Sequence, residues 1–109
     1  PDQAKATAAR TDIQSIATAL EIYHLDNGHY PSTVQGLAAL VQRPGQAPLP
    51  RNWSPRGYLK AVPQDPWGQA YHYLRPGLRS VDGFDLYSFG ADGQPGGEGV
   101  AEDIGNWEG

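Results

Sequence analysis

Apolar residues recur in the first part of the chain at steps of three and four: Ala6, Ala9, Ile13, Ile16, Leu20 and Tyr23. That spacing puts them on one stripe of an α-helix running from residue 4 to about 26. Lys5, Arg10, Asp12, Gln14 and Glu21 fall mostly off the stripe. Asn27-Gly28 supplies a left-handed stop. A helix with one apolar stripe must bury it, and a sheet is the expected cover. Ser32-Thr33-Val34-Gln35 reads as a capping box, predicting a short helix to about Gln42 that buries Leu37, Leu40 and Val41. The pattern then changes. Five of the ten prolines fall between Pro44 and Pro63, so a long loop follows, pinned by Trp53, Tyr58, Leu59 and Val62. Asp65-Pro66-Trp67-Gly68 is a turn. Two alternating segments, 70–74 and 84–89, predict an antiparallel pair of strands. Ile104 and Trp107 follow a glycine-rich stretch, so the tail is expected to fold back and dock.

Composition adds bounds. The chain has 109 residues, 39% of them hydrophobic, which suits one globular domain with a modest core. It has no Cys, which excludes disulfides and thiol chemistry and leaves the compartment unnamed. No apolar run is long enough to span a membrane. There is also no Met, so an N-terminal piece is expected to have been removed, and with it any sign of a leader or anchor.

Charge changes the picture more. The net charge is −4. Residues 1–81 carry all eight Lys and Arg against five acids, and residues 82–109 carry seven acids and no base. Nucleic acid would be repelled by the second part, whereas a cation would be drawn to it. Asp92, Glu98, Glu102 and Asp103 lie among glycines. Ca2+ takes several oxygen ligands from carboxylates and carbonyls in a flexible geometry, and fits this loop better than Mg2+. A solvated acidic tail is the plain alternative. The docked Ile104 and Trp107 favour the metal. The spacing is not that of an EF-hand: after Asp92, Gln94 and Gly96 stand where its pattern needs Asp or Asn, although Gly97 falls at its glycine. The glycines match no phosphate-binding motif, and the local charge is wrong for phosphate.

Catalysis finds little support. His24, His29 and His72 lack metal-ligand spacing, and Ser88 lacks a nucleophile elbow. Asp82 and Asp85 read as exposed strand-end charges rather than an acid–base pair. The aromatic residues between 53 and 73 read as core under the loop, not as a ligand platform.

Three stretches together resemble one family: "LDNGHYPSTVQGL", "DPWG" and "DLYSFGADG" followed by "GGEG" and "DIGNW". They are similar to the major pseudopilins of bacterial type II secretion, the general secretion pathway protein G family, over nearly the whole chain. The resemblance implies an α+β, type IV pilin-like fold. In it a long N-terminal helix packs on a small antiparallel sheet, with a connecting loop and a C-terminal metal-binding loop. Within a single domain of 1–109 this divides as helix over 1–27, short helix and variable loop over 28–69, strands over 70–89, and acidic loop with a docked end over 90–109. It further implies a non-enzymatic subunit anchored in the inner membrane through a segment absent here, with this domain in the periplasm. The subunit would self-associate into a pseudopilus, meet minor pseudopilins and other secretion components, and act on exoproteins indirectly. Nucleic acid is not an expected partner. The family's structural calcium would fall to Asp92 and Asp103, with the carbonyls of Phe89 and Gln94. Some members have further aspartates where this chain has Glu98-Gly99-Val100-Ala101-Glu102. Glu98 is the available substitute, and binding on the order of 10⁻⁴ M or weaker is expected. A minor pilin-like or type IV pilin subunit, and a small periplasmic enzyme, are the alternatives.

Overall fold

The computed structural model describes residues 2–97, 99 and 102–108. The helix α1 spans Asp2–Asn27. Its predicted stripe is buried at every position, with Ala19 and Asn27 added. The stop is as read: Gly28 has φ 80° and its N–H returns to the His24 carbonyl at 2.8 Å. Asn27 also fastens the loop that follows. Its Nδ2 donates to the Tyr23 carbonyl, and its Oδ1 accepts from the Asn52 N–H at 2.8 Å.

The second helix is shorter than its sequence signal. Both capping-box bonds form, each at 3.0 Å between Ser32 and Gln35. They close a turn rather than start a helix, because Gly36 at φ 64° takes the backbone out of helical space. Only the 3-10 turn Leu37–Leu40 follows, and Val41 is half-buried rather than buried. The proline-rich loop is held as expected: Trp53 Nε1 donates to the Ala39 carbonyl at 2.8 Å, and the Tyr58 and Leu59 amides both reach the Leu40 carbonyl.

Three strands form one antiparallel sheet: β1 (His72–Leu74), β2 (Asp85–Ser88) and β3 (Ile104–Gly105), in that order. The first two are the expected pair, in register Tyr73 to Leu86. They are shorter than 70–74 and 84–89. Ala70 instead bridges Gln64 across the Asp65 turn, and Gly90 at φ 81° ends β2. β3 was not foreseen as a strand. It pairs Ile104 with Ser88 and Gly105 with Tyr87. The core lies between α1 and this sheet, where Leu20 and Leu86 are both 0% exposed. Burying each such side chain is worth about 1.5–3 kcal/mol.

One carboxylate was misread. Asp82 is exposed, but Asp85 is 3% exposed. It accepts the amides of Leu78, Arg79 and Ser80 at 2.9–3.0 Å and so shapes the β1–β2 loop.

Candidate functional site

The acidic loop begins where β2 ends, and that end is fixed from below. Ser88 is fully buried; its Oγ donates to Asp65 Oδ2 at 2.7 Å and accepts the Gly90 N–H at 3.0 Å. Asp65 Oδ1 meanwhile accepts the amides of Trp67 and Gln69. A serine without nucleophile context thus joins the 65–69 turn to the first residues of the loop. Beyond it, Asp92 is exposed, and its Oδ1 accepts the Gln94 N–H at 3.0 Å, a local turn bond. Gln94 is exposed as well.

The far end of the loop returns to the sheet. Asn106 uses its side-chain amide as a second peptide group: Oδ1 accepts the Leu86 N–H and Nδ2 donates to the Phe84 carbonyl, both at 2.9 Å. Its own N–H donates to the Leu86 carbonyl at 2.9 Å. Trp107 packs on Gly105, close enough that a Cβ there would run into the indole. The Arg79 guanidinium covers the same indole at 4.2 Å from its centroid. Glu108 closes the tail with an ion pair to Arg10 at 3.1 Å.

Asp103 stands just before β3. Its Oδ1 is buried and, among the described residues, has no hydrogen-bond partner. An unpaired buried carboxylate oxygen is costly and calls for a positive group. Asp103 and Phe89 line one cleft of about 300 Å3, walled by Tyr87 and Trp107. Burial, and then the charges of Asp85 and Asp103, push the Tyr87 hydroxyl above the usual tyrosine range.

The expected ligand set is therefore divided. Asp103 and Phe89 share the cleft, while Asp92 and Gln94 are joined to each other and do not line it. Glu98 lies outside the described residues. Among the described residues, no three His, Cys, Asp or Glu side chains come together as a metal cluster. Backbone carbonyls would have to supply the remaining oxygens. Sequence reasoning missed the supports of the site: Asp65, Asp85 and Asn106. All three lay in the quoted stretches "DPWG", "DLYSFGADG" and "DIGNW", without the hydrogen-bonding roles they play here. His72 sits in an aromatic cluster, its ring stacked on Tyr87 at 5.2 Å and tilted against Phe89 at 4.2 Å.

Comparison with known proteins covers nearly the whole chain. A family model described as type II secretion system (T2SS), protein G, matches residues 1–107. The type II secretion system core protein G of Pseudomonas aeruginosa is 57% identical over 108 residues, covering 99% of this chain and 75% of that protein. The Vibrio cholerae protein of the same name is 52% identical over 106 residues, covering 97% of this chain and 68% of its own length. The crystal structure of the major pseudopilin from the type 2 secretion system of enterohaemorrhagic Escherichia coli superposes with a TM-score of 0.85 at 44% identity. That match covers 97% of this chain and 85% of that one.

Proposed function

This chain belongs to the type II secretion system protein G family, and on that premise we propose that it polymerises into a periplasmic pseudopilus that drives protein export, with a Ca2+ ion tying its C-terminal loop. Membership makes it a structural, envelope-associated pseudopilin of the secretion system and not an enzyme. Its helix-on-sheet architecture is that of the pseudopilin it superposes on. The finer statements are the proposal. The subunit is anchored at the inner membrane, with this domain in the periplasm. It contacts further copies of itself, minor pseudopilins and other secretion components, and reaches exoproteins only through the filament. Among the described residues, no helix is long and apolar enough to cross a membrane.

The single observation that supports the metal is the Asp103 Oδ1, buried without a partner among the described residues. Asp92 and Asp103 would give carboxylate oxygens, and the carbonyls of Phe89 and Gln94 would complete the set, with Glu98 in the same stretch. An all-oxygen donor set suits a hard cation. Bound Ca2+ supplies two positive charges between the start and the end of the loop. The chain's own contribution is the hydrogen-bonded frame of Ser88, Asp65 and Asn106, which brings those two ends near the sheet.

A thermal melt tests it, in EDTA and then in excess CaCl2. At 100 times the dissociation constant a ligand of the folded state adds about 2.7 kcal/mol. That should raise Tm by roughly 10 °C in a domain of this size. Asp103→Asn and Asp92→Ala should each abolish most of the rise. A wild-type Tm that ignores calcium would remove the metal and leave the filament role standing on family membership.

A further inference from the structure

We infer that the arginine-rich loop end of one copy docks on the acidic C-terminal segment of the next, so that the chain carries its own head-to-tail contact. The inference rests on the filament reading above and names the surfaces it would use.

Segment 43–60 carries Arg43, Arg51, Arg56 and Lys60 and no acid. Segment 90–108 carries Asp92, Glu98, Glu102, Asp103 and Glu108 and no base. All four bases are exposed. Among the described residues the one ion pair is Arg10–Glu108, and none of the four bases is paired with a described acid.

The two segments sit towards opposite ends of the molecule. The basic loop is tied to the last turn of α1: the Asn52 amide donates to Asn27, and the Tyr58 hydroxyl donates to Asp26 Oδ2 at 2.8 Å. Arg43 reaches back to the Pro50 carbonyl in the same loop. The acidic segment is tied to the first half of α1. Glu108 holds Arg10, and Gly93 lies against Gln69, in the turn whose Trp67 indole donates to Asp2. At about 1.5 Å of rise per residue, Arg10 and Asp26, the helix residues that hold the two segments, are roughly 24 Å apart. The whole molecule is 41 Å long.

At such a separation the two poles cannot neutralise each other within one chain, because the Debye length is about 8 Å at physiological salt. A second copy can satisfy both. Copies stacked in the same direction bring unlike poles together, whereas a two-fold dimer through either pole brings like charges together. A heterologous contact of this kind does not close and propagates as an open chain. Calcium in the loop would not remove the attraction: with two of its five charges offset by the ion and Glu108 paired with Arg10, two negative charges still face the four bases.

The chain has no Cys, so a cysteine pair can report the contact without background. Filaments are assembled from subunits carrying Arg56→Cys with Glu102→Cys, or Arg51→Cys with Glu102→Cys, and then oxidised. A disulfide needs Cα atoms within about 7 Å, which the two ends of one molecule cannot reach. Charge variants Arg56→Glu, Glu102→Arg and their combination are assembled in parallel. The expected result is a ladder of linked subunits from at least one pair and none from single cysteines. The ladder should fade when assembly is done in about 1 M salt, where the Debye length is near 3 Å. Each single charge reversal should cut filament yield up to about fivefold, the reach of an exposed ion pair, and the combination should recover it. Filaments that form without any ladder, with every charge variant at wild-type yield, overturn the contact and leave polymerisation standing. A wild-type subunit that forms no filament overturns both. If reversal at Arg56 abolishes binding to vesicles of anionic lipid and leaves assembly intact, the loop faces a membrane, and the contact between copies is wrong.

Discussion

Asp85 shows how one side chain can hold a loop. Its carboxylate accepts three consecutive amides, at Leu78, Arg79 and Ser80, from a site that is 3% exposed. Consecutive amides aimed at one anion form a small nest. Gly77 lies directly beneath it, and a Cβ there would meet both the carboxylate and the Ser80 carbonyl. Asp85→Ala would strand three amide donors in a part-buried loop. Each bond to a charged acceptor is worth about 1.5–3 kcal/mol. We expect a loss of at least about 3 kcal/mol, read as a lower urea midpoint at unchanged m-value. Asp85→Asn keeps an acceptor oxygen but turns an NH2 towards an amide, and should lose less. Gly77→Ala, by contrast, should cost about 1–3 kcal/mol through crowding alone. If Asp85→Ala melted like the wild type, the loop would be held by something other than its carboxylate.

At the level of elements, β3 depends on Asn106 more than on its own two residues. The asparagine exchanges hydrogen bonds with Leu86 in both directions and adds one to Phe84. Asn106→Ala should release the edge of β2 and cost about 1–3 kcal/mol. The Leu86 amide should then exchange with solvent about 10-fold faster or more, measured by native-state hydrogen exchange. Unchanged protection at Leu86 would mean that Ile104 and Trp107 hold the tail by packing alone. This element was the least legible in the sequence. Two residues carry no period, and the bonds that make them a strand come from a side chain outside it. α1 was legible because six stripe positions over five turns leave no other period. Tyr71 and Tyr73 were legible for the same reason: they alternate and are both buried. The capping box was legible, but its outcome was not, because Gly36 decided it one residue later. In the candidate site, the loop was readable from its glycines and acids. The burial of the Asp103 Oδ1 was not, since a carboxylate has the same letter whether it faces water or a cleft.

Across the whole molecule, the tyrosines form a shared liability. All six have hydroxyls held above their ordinary range, and in each case burial is the first cause. Tyr71 and Tyr73 are shifted furthest; one donates to Asp12 at 2.7 Å and the other to the Pro31 carbonyl at 2.6 Å. Because the folded value lies above the unfolded value, the stabilisation is complete below about pH 10 and is lost as pH rises further. The unfolded chain then releases protons that the folded chain retains. Stability should fall steeply above about pH 10, and Tyr73→Phe should make that fall shallower, followed by chemical melts between about pH 8 and 11. A flat profile would mean that the hydroxyls reach water.

The strand order of the sheet has a consequence for biosynthesis. β2 lies in the middle, yet one of its two neighbours comes from the last stretch of the sequence, and Glu108 meets Arg10 across 98 positions. Domains emerge from the ribosome N-terminus first. Every nascent, stalled or clipped chain that lacks Ile104 and Asn106 therefore shows an open strand edge, a template for pairing with other chains. The cell's chaperones and proteases would meet an aggregation-prone species at each such stage, and the exposure ends once Ile104 and Asn106 have paired with β2.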